Sequence, residues 1–192
     1  MDLLLIRHGL PVRVENPDGA PADPALSDEG RDQAERVARW LAEEPIDALY
    51  TSPLRRAVET AAPLAKLRGL APRVEPGVIE LDHQESSYVP LEELKATDYP
   101  AWQAQMRGFL ENDAASFRAV VVDALERIIA AHPGERVVVT CHGGVINAWA
   151  SHVLGLERVF LFEPLYTSLN RFRASRSGHR ALVSLNESPH LP

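Results

Sequence analysis

The chain has 192 residues, 45% of them apolar, which is enough for one domain with a sizeable core. Its formal charge of −7 weighs against nucleic acid or an anionic membrane as the main partner, since both attract basic surfaces. A small anionic substrate stays open, provided arginine and histidine gather locally against the overall field.

In chain order, the run Leu3-Leu4-Leu5-Ile6 is continuously apolar and predicts a parallel strand covered on both faces. At four residues it is too short for a signal peptide or a membrane span, and no later segment is long enough either. The one cysteine, Cys141, excludes an internal disulfide and a paired-cysteine metal site. A soluble, cytoplasmic protein is expected. Residues 10–26 are rich in Pro, Gly, Asp and Asn and read as a loop. Ser27 offers a cap for a helix whose apolar positions Ala34, Val37, Ala38 and Leu41 recur every three or four residues, ending near Glu44-Pro45.

Residues 46–51 predict a second strand, after which Ser52 is positioned to cap, and Pro53 to begin, a helix with an apolar stripe at Ala57, Ala61, Leu64 and Ala65. Residues 73–75 suggest a third strand. From about 82 to 110 the pattern is poor, with Tyr88, Tyr99, Trp102 and Phe109 scattered among polar residues; this reads as an insertion or lid within a single domain spanning 1–192. Phe117, Val120, Val121, Ala124, Leu125, Ile128 and Ile129 mark a long helix stopped by Pro133-Gly134. Residues 137–141 form another buried strand, followed by a turn at His142-Gly143-Gly144 and a helix up to Gly155. Residues 166–173 and 180–185 predict two strands joined by a turn at Ser177-Gly178. Strands alternating with helices imply an α/β fold: a three-layer sandwich with a mostly parallel central sheet flanked by helices.

Ligands of such sheets bind beyond the carboxyl ends of the strands. Three polar groups fall at these ends: Arg7-His8, residues 52–56, and His142. Arg56 lies in the first turn of its helix, where the macrodipole and free amides disfavour a cation unless an anion is bound beside it. Gly143-Gly144 leads into a helix whose amides also suit an anion. Two arginines, two histidines and free amides match phosphate, whose outer oxygens accept forked donors.

Four segments together, Arg7-His8-Gly9, Leu26-Ser27-x-x-Gly30-x-x-Gln33-Ala34, Ser52-Pro53-Leu54-x-Arg56-Ala57-x-x-Thr60-Ala61 and Cys141-His142-Gly143-Gly144, resemble in order the motifs of the histidine phosphatase superfamily, the phosphoglycerate-mutase-like group. The resemblance spans roughly residues 2 to 155. It implies that His8 attacks a phosphoryl group and becomes a phosphohistidine. Arg7, Arg56 and His142, with Gly143, would bind the phosphate, and a carboxylic acid would protonate the leaving oxygen. By position after Pro76-Gly77-Val78-Ile79, Glu80 resembles that acid, with Asp82 in reserve.

The reading is a metal-independent phosphomonoesterase of the histidine acid phosphatase type, needing no cofactor and acting on a small phosphorylated substrate. The alternatives are a phosphoglycerate-type mutase and a non-catalytic phosphate-binding regulatory module. Leu10-Pro11 stands where the family often carries Glu or Gln and then Thr, which removes a polar contact at the pocket rim. His83, His132, His152, His179 and His190 read as structural or surface residues, Arg55 as a solvated charge, Cys141 as inert, and the aromatics of 88–109 as packing groups. The oligomeric state, a dimer included, is left open.

Overall fold

The computed structural model describes residues 1–16, 18–111 and 114–192, and the side chains of these except at 108–111. The Phe109 side chain therefore lies outside the described residues. Eight strands are formed among the described residues: β1 (Asp2–Arg7), β2 (Val14–Glu15), β3 (Ala48–Thr51), β4 (Arg73–Val74), β5 (Ser87–Tyr88), β6 (Arg136–Cys141), β7 (Leu169–Ala174) and β8 (Arg180–Glu187). The helices are α1 (Asp28–Trp40), α2 (Arg55–Arg68), α3 (Leu91–Thr97), α4 (Tyr99–Glu111), α5 (Ala114–Ala131) and α6 (Gly143–Val153), with a 3-10 turn at Pro76–Val78.

Six strands make one sheet in the order β4-β3-β6-β1-β7-β8. β4, β3, β6 and β1 run parallel, while β7 pairs antiparallel with β1 and with β8. The apolar strands bury both faces by simple alternation. Leu3, Leu5, Val137 and Val139 pack with Leu125 and Ile128 of α5 and Trp149 of α6, while Leu4, Ile6 and Val138 pack on the opposite face with Val37 of α1 and Leu64 of α2. The result is the three-layer sandwich expected from the sequence, and no helix among the described residues is long and apolar enough to cross a membrane.

Local signals explain most boundaries. Ser27 Oγ accepts from the Gly30 amide at 3.0 Å, capping α1. Ser52 does not cap α2, contrary to expectation. The helix starts at Arg55 with Leu54 as its cap residue and no side-chain cap, because Ser52 is held in the preceding turn and turned towards His142. The loop of residues 10–26 contains a strand after all, since β2 pairs with β5 through Val14↔Tyr88 and Glu15↔Ser87. Two helices, α3 and α4, occupy the poorly patterned stretch. α3 buries none of its residues, so it shows no apolar stripe for periodicity to detect.

Candidate active site

β1 and β6 end side by side, with Arg7 opposite Cys141, so the residues that follow them, His8 and His142, meet beyond the sheet edge. Their rings lie 5.2 Å apart between centroids. The turn after β1 needs glycine twice. A Cβ on Gly9 would sit 2.5 Å from the Gly30 carbonyl oxygen, and one on Gly30 would sit 2.0 Å from the Leu10 carbonyl oxygen. The Leu26-to-Ala34 motif therefore seats the turn that carries His8. Thr60 ties the same turn to α2, its hydroxyl accepting from the Gly9 amide at 2.9 Å and donating to the Arg56 carbonyl at 2.7 Å.

His8 is 2% exposed, and its Nδ1 lies 2.8 Å from the Gly9 carbonyl oxygen. A carbonyl only accepts, so Nδ1 carries the proton and Nε2 of the neutral ring keeps its lone pair. Burial, then the charges of Arg56 and Arg7, hold the imidazole well below its usual pKa, which keeps it neutral. Burial and Arg56 depress His142 in the same direction. His142 Nε2 is 2.7 Å from Ser52 Oγ, which itself accepts from the Leu54 amide. Donation from Ser52 to Nε2 satisfies every hydrogen there and leaves His142 Nδ1 as a donor.

Arg7 and Arg56 are both buried, each against an aromatic face. The Arg7 guanidinium carbon is 3.8 Å from the Tyr166 ring centre and that of Arg56 is 4.8 Å from Tyr88. Arg7 Nη1 donates to the Pro164 carbonyl at 2.5 Å and approaches Glu92 at 3.4 Å. Arg7 Nε, Arg56 Nε and Nη1, and His142 Nδ1 are buried with no partner among the described residues. Four orphaned donors cost about 1–3 kcal/mol each, and their number around one cavity is the signature of an anion site. The neighbouring Arg55 instead points outward and pairs with Glu59.

Glu80 and Asp82 line that same cavity of about 150 Å³ with Arg7, His8, Arg56, Gly143 and Gly144. The Glu80 carboxylate accepts from the Leu81 amide and from the Gly144 amide, both at 3.0 Å. These bonds favour its ionised form, yet burial and the Asp82 charge outweigh them and raise its pKa to about 7. Burial raises Asp82 also, against the pull of Arg56. Gly144 has a steric role here, since a Cβ on it would come within 2.2 Å of Glu80 Oε1. Gly144→Ala is therefore expected to displace this carboxyl and shift its pKa from about 7, read by pH titration beside a melting curve that shows the fold intact.

Of the residues singled out from the sequence, His8, Glu80, Arg7, Arg56 and Gly143 line one pocket, and His142 lies just behind it with its ring 5.2 Å from that of His8. The structure adds Tyr88 in the pocket wall and Tyr166 against Arg7, which no motif announced, and gives Ser52 of the second motif a contact with His142 in place of a helix cap. Tyr88 lines the pocket and faces a buried arginine, where packing alone was expected of it. Cys141 is fully buried and burial pushes its thiol pKa up, in keeping with an inert group. Leu10 is not among the residues that line the pocket, and its amide donates to Gln33 at 2.9 Å.

Fold and site together define an α/β protein with a buried anion pocket at the carboxyl edge of its parallel strands. The chain matches the histidine phosphatase superfamily (branch 1) over residues 3–188 and belongs to that family. Among curated relatives, it is 30% identical over 164 residues to phosphoserine phosphatase 1 of Hydrogenobacter thermophilus, covering 81% of this chain and 77% of the relative. It is 35% identical over 184 residues to phosphoglycerate mutase-like protein 4 of Arabidopsis thaliana, covering 90% and 79%. Of solved structures, a mycobacterial glucosyl-3-phosphoglycerate phosphatase complexed with VO3 superposes with a TM-score of 0.78 at 24% identity, covering 97% of this chain and 99% of that one. A phosphoserine phosphatase mutant from Entamoeba histolytica in complex with phosphoserine gives 0.77 at 23% identity, covering 100% and 99%. Family membership supports a phosphatase.

Proposed function

We propose that this chain is a metal-independent phosphomonoesterase, of the histidine acid phosphatase type, that works through a phosphohistidine on His8. The observation that carries the reading is the Nδ1 bond to the Gly9 carbonyl, which leaves an unprotonated Nε2 in a pocket of orphaned donors. Nε2 attacks phosphorus and the P–O bond to the leaving group breaks. Glu80, half protonated near neutrality, gives its proton to the departing oxygen. Water then attacks phosphorus, Glu80 takes the water's proton, and the P–N bond breaks to release inorganic phosphate. Arg7, Arg56, His142 Nδ1 and the start of α6 at Gly143 hold the transferring group and its charge throughout. The segment of residues 82–110 serves as a lid, contributing Leu91, Gln105 and Met106 to the pocket wall.

Two measurements test this outside the nucleophile. Turnover of an alkyl phosphate is expected to persist undiminished in excess EDTA; loss restored by a divalent cation would remove metal independence. The pH profile is the second. His8, with its depressed pKa, stays a competent base across neutrality, whereas Glu80 must be protonated to act as acid. The kcat for an alkyl ester should therefore fall as pH rises through about 7. Glu80→Gln should remove that limb and lower alkyl-ester turnover by about 10²- to 10⁴-fold. If Asp82→Asn alone does so, Asp82 is the acid.

A further inference from the structure

The same cavity is also walled by Val89, Leu91, Met106, Phe160, Phe162 and Pro164, with the uncharged polar side chains of Ser87 and Gln105 among them. Its charged lining, apart from Glu80 and Asp82, consists of Arg7, Arg56 and Glu163. Both arginines are committed to the phosphate end by their stacking on Tyr166 and Tyr88. Lys95 stays outside the wall, 4.0 Å from Glu163 and over the Trp102 ring. Residues 17 and 108–113 contribute no lysine or arginine to the sequence. Asn147 also lines the pocket, but its amide is fully engaged in anchoring the wall: it donates to the Gly143 and Phe162 carbonyls and accepts from the Leu161 and Phe162 amides.

A carboxylate in the leaving group would thus meet a largely apolar wall and the Glu163 carboxyl, with no cation beyond Arg7 and Arg56 lining the pocket among the described residues. Burying such a charge unpaired is strongly unfavourable. Resting on the phosphatase reading above, we propose that the substrates are phosphomonoesters with a neutral, largely apolar alcohol, and that carboxylated esters such as phosphoserine and phosphoglycerate are disfavoured. The specificity-determining residues are Met106, Phe160 and Phe162, which supply contact to an apolar alcohol, and Glu163, which repels an anionic one.

Four primary alkyl esters of similar intrinsic reactivity separate the possibilities: 2-phenylethyl phosphate, O-phosphoserine, 3-phosphoglycerate and phosphoethanolamine. With the full chain, kcat/KM for 2-phenylethyl phosphate is expected to exceed each of the other three by about tenfold or more. Met106→Ala should narrow its lead over phosphoserine, and Glu163→Lys should raise kcat/KM for 3-phosphoglycerate. Equal or better turnover of either carboxylated ester by the wild-type chain overturns the proposal and leaves the phosphatase reading standing. Preference for phosphoethanolamine also overturns it, by showing that the acidic rim selects a cation. Hydrolysis of none of the four, with a generic aryl phosphate equally inert, overturns the phosphatase reading and this proposal with it.

Discussion

His8→Ala is expected to lower kcat by at least about 10⁴-fold, because in the proposed mechanism its Nε2 is the atom that takes the phosphoryl group. The buried position of His8 sharpens this result. Its Nδ1 proton is held by the Gly9 carbonyl, so the wild-type ring is a preset nucleophile that needs no further proton transfer before attack. Wild-type protein given a phosphate-labelled aryl ester and quenched in alkaline denaturant should carry a label that is stable in base and lost in acid, and His8→Ala should carry none. An unlabelled wild type with normal turnover would remove the covalent mechanism. Equal turnover by the variant would remove His8 from the reaction altogether. The substitution trades a buried imidazole for a methyl group, so its melting temperature must be compared before a loss is assigned to chemistry.

Arg56→Met is expected to lower kcat/KM by about 10²- to 10³-fold, the usual cost of removing one preorganised donor from a developing charge. The same change should not weaken the fold. Arg56 is 1% exposed, two of its nitrogens have no partner among the described residues, and no carboxylate there lies within ion-pair distance. Replacing such a guanidinium by an apolar side chain of similar length removes buried donors that have no partner, each costing about 1–3 kcal/mol. A gain of several degrees in Tm is the expected outcome, since each kcal/mol shifts Tm by about 2–4 °C in a chain of this size. Orthophosphate should raise the Tm of the wild type and do so much less for Arg56→Met. A variant that melts well below wild type would show that Arg56 supports the fold; one that keeps its activity would remove it from the phosphate site. The wild type holds this cation in an unfavourable place because its place is favourable only once an anion arrives.

Sequence alone determined the layered fold, because strand burial and helix amphipathicity are local periodicities. The runs 3–6 and 137–139 are apolar at every position, and only a strand covered on both faces uses such a run. Arg7, His8, Arg56 and His142 were legible too as candidates, the first two and His142 by strand-end position beside glycines and Arg56 by its place in the first turn of a helix, and only together did they point to a phosphate. Other features depended on distant partners and had no local signal. Ser52 looked like a helix cap until His142, ninety positions away, claimed its hydroxyl. α3 and α4 left no stripe because they lie on the pocket and bury too little for a core-facing pattern.

Glu80 is the clearest division between the two. Its position in the sequence marked a candidate acid, but a carboxyl beside a loop is ordinarily solvated and ionised. Only the tertiary structure supplied the burial and the Asp82 charge that bring its pKa to about 7, against the opposing pull of the Gly144 and Leu81 amides. The proton affinity of a side chain is set by charges and solvent within a few ångströms, and chain spacing does not encode those distances. The same reason governs the substrate pocket, where the apolar wall and the unpaired arginine donors come from five separate stretches of chain and acquire meaning only once folding has placed them around one cavity.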